Sequence, residues 1–230
     1  MARGKGSGSR PTGRRATVRV KTARGRTVSS QRWLQRQLND PYVAEARRLG
    51  YRSRAAFKLA ELDLRFRLLR PGLKVADLGC APGGWTQVAI ARVGGYGIVV
   101  GVDIAETATL PGATLLTADI HDPATLGAIG AALGGPADVV LSDMAPATIG
   151  HAATDHLRIV ALAEEAFAVA SQILAPGGTF VAKVFQGGTE GELLAALKRD
   201  FAELRHAKPP ASRAESAETY VLATGFRGGR

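Results

Sequence analysis

From Lys74 onward the chain alternates short β-rich runs with longer helical stretches, and this alternation constrains the fold more than any other feature. Residues 75–78, 97–102, 114–118, 138–142, 179–184, 203–208 and 219–224 read as strands, each a short run rich in apolar and β-branched residues. Between them, residues 84–93, 123–133, 154–174 and 189–201 read as helices. Such a pattern specifies an α/β domain whose mostly parallel sheet carries helices on both faces. Ligands of such sheets bind beyond the carboxyl ends of the strands, where the strand order reverses. The residues that follow each strand are therefore the ones to inspect for chemistry.

The first run ends in Asp77-Leu78-Gly79-Cys80-Ala81-Pro82-Gly83-Gly84-Trp85, a glycine-rich turn that opens a helix and lets the backbone approach a ligand closely. Its spacing is not the G-x-G-x-x-G of a dinucleotide site, and it lacks the Lys-Ser/Thr ending of a P-loop. Asp103 ends the second run, where an acid accepts both hydroxyls of a cofactor ribose. Asp119 follows the third and is placed to accept from an adenine amino group. Three successive strand ends thus carry the polar groups that an adenosine-containing ligand needs. The fourth run ends in Ser142-Asp143-Met144-Ala145-Pro146, and the fifth holds Lys183 between Ala182 and Val184. A lysine on a doubly covered strand is costly unless it is paired or functional, and Lys58 upstream and Glu218 at the start of the last run complete the set of partners.

Charge divides the chain further. Residues 1–30 carry nine basic side chains and no acid, residues 31–70 a net +6, and the remainder a net −5. The N-terminal third is thus the part suited to a polyanion, and a basic arm of this kind adds salt-sensitive affinity without reading sequence. We read residues 1–29 as a disordered basic arm, 30–72 as a helical, polyanion-facing segment packed on the core, and 73–230 as the catalytic domain. Trp33, Leu34 and Leu38 mark a first helix, residues 42–49 a second, and Ser53 is the expected N-cap of a third. Arg47, Arg48, Arg52 and Arg54 are expected to show a positive face outward. A single cysteine, Cys80, excludes an internal disulfide and fits a reducing compartment, and no apolar run reaches the roughly 18 residues of a membrane span. A cytoplasmic monomer without membrane contact is expected.

Read together, these motifs resemble the FtsJ/RrmJ (RlmE) family of rRNA ribose 2′-O-methyltransferases over residues 30–225. The likeness rests on Arg32-Trp33-Leu34, Tyr51-Arg52-Ser53-Arg54-Ala55-Ala56-Phe57-Lys58-Leu59, the Asp77 to Trp85 turn and Ser142 to Pro146. It continues through Leu174 to Gly178, Lys183 to Gly187 and Ser212 to Tyr220. The resemblance implies the Rossmann-like methyltransferase fold with a seven-stranded sheet and S-adenosyl-L-methionine as methyl donor, S-adenosyl-L-homocysteine being the product. It places a catalytic tetrad on Lys58, Asp143, Lys183 and Glu218, and cofactor contacts on Gly83, Trp85, Asp103, Asp119 and Asp143. It further implies a uridine in the A-loop of 23S rRNA as substrate, presented on the assembled large ribosomal subunit, with no DNA partner. Two features depart from the pattern: Cys80 stands where alanine is common, and the arm of residues 1–28 is extra.

Lys183 is the residue expected to take or steer the hydroxyl proton. A free lysine titrates near roughly 10.4, so a base role needs burial or a like charge such as Lys58 to depress it, while Asp143 and Glu218 push the other way. Rival chemistries lack their signatures: there is no Asn/Asp-Pro-Pro-aromatic turn for exocyclic amino methylation, and Cys80 sits in the cofactor turn rather than beside a flipped base. His121, His151, His156 and His206 form no convincing ligand set, so no metal is expected. A tRNA ribose methyltransferase and a non-catalytic ribosome-assembly factor that binds RNA are the competing readings.

Overall fold

A computed structural model describes residues 28–146, 152–185 and 191–228 of the 230-residue chain. Residues 1–27 of the arm, His151 and the Gln186-Gly187 pair lie outside them. Three helices lead in: α1 (Val28–Asn39), α2 (Pro41–Leu49) and α3 (Ala55–Phe66). Asp40 caps α2 by accepting from the Tyr42 amide at 3.0 Å, Pro41 takes the first helical position, and Gly50 closes it at φ 75°. The Asp40-Pro41 pair that interrupts the sequence pattern is therefore a helix start, with the N–H that proline lacks falling where it is not needed.

The expected cap at Ser53 is not formed: α3 begins after Arg54, with no side-chain cap. Ser53 Oγ instead lies against Gly84, where an added Cβ would come within 2.3 Å of it. Close packing of α3 on the next helix has taken the position that the cap required.

The catalytic half follows as β1 (Lys74–Leu78), α4 (Gly84–Val93), β2 (Ile98–Asp103), β3 (Thr114–Thr117), α5 (Pro123–Leu133) and β4 (Ala137–Ser142). It ends with α6 (Ala152–Ile173), β5 (Leu174–Phe185), α7 (Gly191–Asp200), β6 (Phe201–Ala207) and β7 (Glu218–Phe226). The seven strands form one sheet in the order β3-β2-β1-β4-β5-β7-β6, parallel except for β7, which runs antiparallel to both neighbours. The expected α/β class and sheet are found. β5 starts earlier than the apolar run suggests, because its pairing with β4 slips between Ala137↔Leu174 and Val139↔Thr179, absorbing Pro176-Gly177-Gly178 as an irregularity.

Each face of the sheet has its own core. Ala76, Leu78, Val100, Phe180, Ala182 and Val221 face α5 to α7, whereas Val75, Val139, Leu141, Val181, Tyr220 and Leu222 face α3 and α4 with Leu59, Leu62, Trp85 and Val88. Strand side chains alternate with a period of two, so this division fixes the site. Asp143 continues the series Val139, Leu141; Lys183 follows Val181; Glu218 precedes Tyr220. All three are directed to the α3/α4 face, and α3 carries Lys58 against it. No helix among the described residues is long and apolar enough to cross a membrane.

Candidate active site

Two cavities open at the carboxyl end of the sheet. The first, of about 340 Å³, lies beyond β1, β2 and β4 and is lined by Gly79, Asp103, Ile104, Ile120, Asp143 and Met144, among others. The second, of about 440 Å³, lies over β5 and β7 and is lined by Pro146, His156, Ile159, Lys183, Phe185 and Glu218, among others. Ala145 borders both. The Asp143 and Lys183 side chains meet where they adjoin.

At that junction five polar side chains converge. Lys183 Nζ donates to the Asp143 backbone oxygen at 2.6 Å and to its Oδ1 at 3.1 Å. Lys58 Nζ lies 2.8 and 3.0 Å from the two Glu218 carboxylate oxygens and 3.6 Å from Asp143 Oδ2. The four residues picked from sequence are thus brought together as two linked ion pairs. The Tyr220 hydroxyl lies 2.8 Å from Asp143 Oδ1 and 3.3 Å from Glu218 Oε1, so one phenolic proton serves two carboxylates. The Lys58 ammonium also sits 5.7 Å from the centroid of the Tyr220 ring, within cation–π range.

Electrostatics follow from this packing. Burial alone would raise the Asp143 carboxyl, but the Lys183 and Lys58 ammonium groups and the Tyr220 O–H together hold it below the ordinary carboxylate value. Burial pushes the Tyr220 phenol well above its usual range, and the adjoining Asp143 and Glu218 carboxylates push the same way. The phenol stays protonated and donates. The sequence reading missed Tyr220, although its place two residues after Glu218 on one strand put both on the same face.

The first cavity holds some of the expected cofactor contacts and not others. Asp103 lines it, with Oδ2 accepting from the Ala81 amide and Oδ1 from the Ala105 amide, both at 2.8 Å. A carboxylate has about four lone-pair positions, so acceptor capacity remains for hydroxyl groups. Asp143 also lines it. Asp119 does not: its Oδ1 accepts from the His121 amide at 2.9 Å and lies 2.7 Å from His121 Nδ1, and His121 rather than Asp119 forms the wall. Trp85 is 3% exposed, its indole N–H donating to the Ala55 carbonyl at 2.8 Å, so the ring belongs to the core and does not line the cavity. Gly83 caps α4 at φ 107° and packs beside Arg52 and Leu110, outside the cavity wall.

His121 is a rim residue that no sequence motif marks. Its imidazole bridges Asp119 and Glu165, and these carboxylates raise its pKa. Among the described residues no three His, Cys, Asp or Glu side chains are grouped to hold a metal ion. Cys80 is buried, and burial foremost pushes its thiol up to about 12, which leaves it without nucleophilic character.

The cavity, of about 340 Å³, has room for a nucleoside-sized ligand. Gly79, at φ +74°, has no space for a Cβ, which would fall 2.3 Å from Met144 Cγ, so the backbone itself forms the wall. Asp77, Asp103 and Asp143 stand at three neighbouring strand ends, and the last two help to push the buried Asp77 carboxyl, already raised by desolvation, to about 7. Of the three, Asp103 lines the cavity without a lysine partner among the described residues and is the carboxylate open to a ligand there.

The likeness to known proteins agrees with this architecture. The sequence model of the FtsJ-like methyltransferase family matches residues 51–226. A protein of Paramagnetospirillum magneticum named ribosomal RNA large subunit methyltransferase E is 62% identical over 232 residues, spanning 98% of this chain and 95% of that one. The protein of the same name from Xanthobacter autotrophicus is 59% identical, spanning 95% and 87%. A crystal structure described as a ribosomal RNA methyltransferase from Plasmodium falciparum superposes with a TM-score of 0.69 at 29% identity, covering 78% of this chain and all of that one. Motifs, strand order and likeness coincide over the same stretch of sequence, and the chain belongs to the FtsJ-like methyltransferase family.

Proposed function

We propose that the protein transfers a methyl group from S-adenosyl-L-methionine to the ribose 2′-hydroxyl of a uridine in the A-loop of 23S rRNA, within the large ribosomal subunit. The observation that carries this reading is the meeting of Lys58, Asp143, Lys183 and Glu218 at the junction of two cavities. The first cavity is assigned to the donor, with Asp103 accepting the ribose hydroxyls. The second, large enough for one nucleoside, is assigned to the acceptor. When bound, the donor supplies an electrophilic methyl on a sulfonium.

The chain's own residues then align and discharge the acceptor. An ammonium has three N–H bonds, and Asp143 engages two from Lys183, leaving the third direction for the cavity that Lys183 lines. There Lys183 meets the 2′-oxygen: as the ammonium it steers that oxygen with its third N–H, and as the free amine its lone pair takes the hydroxyl proton while the oxygen bonds to the methyl and the sulfonium C–S bond breaks. Lys58, fixed by Glu218, adds a second positive charge beside the oxygen as negative charge develops on it. Two anchored reactants in line convert an improbable encounter into a local event, the largest contribution such a site makes.

We place the enzyme in the cytoplasm as a monomer, gripping RNA through phosphates and telling it from DNA by the 2′-hydroxyl that it modifies. The test compares assembled large subunits, naked 23S rRNA and tRNA as acceptors of labelled methyl, with the modified nucleotide mapped. Methylation of a ribose in large-subunit rRNA is expected; transfer to tRNA alone, or product binding without any transfer, overturns the reading. Lys183→Ala is expected to abolish transfer while retaining product binding, and an undiminished rate removes Lys183 from the mechanism.

A further inference from the structure

The tripeptide Arg52-Ser53-Arg54 joins α2 to α3, and its two arginines, expected to face solvent, both turn inward. They reach opposite halves of the site. Arg52 Nη1 donates to the Ala108 carbonyl at 2.6 Å and the Pro82 carbonyl at 3.3 Å, and Nη2 to the Thr109 carbonyl at 2.7 Å. Pro82 belongs to the glycine-rich turn after β1, and Ala108 and Thr109 to the segment that follows Asp103, the last residue of β2. These are the two loops of the first cavity, already joined once by the Ala81 amide on Asp103. Arg52 ties them a second time. Its own backbone is fixed by Gln87 of α4, whose Oε1 accepts from the Arg52 amide at 2.8 Å.

Arg54 works on the other side. Its Nη2 donates to the Ala211 carbonyl, and its Nε lies 3.1 Å from Asp40 Oδ2, paired by charge but out of line for a hydrogen bond. The Ala211 amide donates to Glu61 Oε2 at 2.6 Å, so this residue of the loop before β7 is held at both its N–H and its C=O. Its neighbour Ser212 donates through Oγ to Glu218 Oε1 at 2.7 Å. The chain of contacts runs from Arg54 and Glu61 through Ala211 and Ser212 to the carboxylate that fixes Lys58.

We infer that Arg52 and Arg54 are positioning residues with separate duties: Arg52 sets affinity for the methyl donor, and Arg54, through Ala211 and Ser212, sets the rate of transfer by orienting Glu218. The inference rests on the assignment of the two cavities to donor and acceptor. It opposes the simpler expectation for two arginines in a basic segment, which is contact with RNA phosphates. A lysine at either position keeps the charge but cannot span the three carbonyls that Arg52 holds, or the carbonyl and carboxylate that Arg54 joins, because only the planar guanidinium presents a fork of donors.

The experiment uses the full-length chain with Arg52→Lys, Arg54→Lys and Ser212→Ala, each checked by thermal unfolding. Dissociation constants for S-adenosyl-L-homocysteine come from calorimetry, and kcat and KM for the RNA acceptor from labelled methyl transfer. Arg52→Lys is expected to weaken product binding about tenfold, the loss of one or two hydrogen bonds to a charged donor, with acceptor KM unchanged. Arg54→Lys and Ser212→Ala are expected to lower kcat about tenfold with product affinity unchanged, and the double variant to fall little below the worse single one, as members of one chain of contacts do. Arg52→Gln serves if the lysine variant does not fold. Unchanged product affinity in the folded Arg52 variant overturns the assignment, and so does a rise in acceptor KM shared by both lysine variants. A wild-type protein that binds product but transfers no methyl overturns the functional reading and this inference with it; an active wild type with unselective variants overturns the inference alone.

Discussion

Asp77→Asn is the substitution for which the structure predicts the sharpest behaviour. Asp77 is 1% exposed at the end of β1 and accepts one side-chain hydrogen bond, from Thr86 Oγ1 at 2.7 Å. Burial raises its carboxyl from 3.8 to about 7, with Asp143 and Asp103 adding repulsion. An acid whose folded-state pKa exceeds its unfolded one stabilises the fold fully below the unfolded value, and that contribution is lost as pH rises through the folded value. The wild type should therefore lose about 2–3 kcal/mol of stability from this group between pH 5 and pH 8, most of it below pH 7. Asparagine keeps the acceptor for Thr86 and does not titrate; its unpartnered amide costs about 1–3 kcal/mol, equally at every pH. The difference between the two proteins isolates Asp77 from every other titrating group. In urea unfolding followed by circular dichroism, the gap between the variant and wild-type midpoints should move in the variant's favour by about 1 M from pH 5 to pH 8. Midpoints that run parallel across this range refute the reasoning.

Other perturbations have equally definite outcomes. Tyr220→Phe removes the hydroxyl shared by Asp143 and Glu218 and should lower kcat by about tenfold or more with donor affinity little changed; an unaltered kcat in single-turnover assays contradicts that. Gly84→Ala drives a methyl to 2.3 Å from Ser53 Oγ and 3.4 Å from the Ala56 amide, so the α3/α4 contact should lose about 1–3 kcal/mol in denaturant titration. Deleting residues 1–27, which carry nine basic side chains, should flatten the salt dependence of rRNA binding while kcat at saturating acceptor is retained. An unchanged salt slope would show that the arm does not meet phosphates.

Much of this architecture was written in the sequence for a simple reason. Strands covered on both faces are continuous apolar runs, so Val75 to Leu78 and Asp138 to Ser142 stood out, and Lys183 stood out within such a run as a charge with no reason to be there. Period-two alternation then implied which neighbours share its face. What could not be read was direction and order. Charge at Arg52 and Arg54 suggested solvent, yet both are drawn in by backbone carbonyls that only the folded loops present. Trp85 was expected as a cofactor contact because it ends the glycine-rich turn, while its ring follows the core. The insertion of β7 between β5 and β6 left no trace in local pattern, because pairing partners are chosen by long-range packing. Glu218 could be named beforehand from its motif; only the strand order puts it opposite Phe185 and beside Lys58.

That order has a consequence for biosynthesis. The strand that comes latest among the described residues, Glu218–Phe226, fills an interior slot of the sheet between two strands made before it. While its own ribosome is still translating it, the nascent chain lacks both the middle of that half of the sheet and the carboxylate that anchors Lys58. The half of the sheet beyond β5 therefore cannot close, nor the Lys58–Glu218 pair form, before β7 itself has been made.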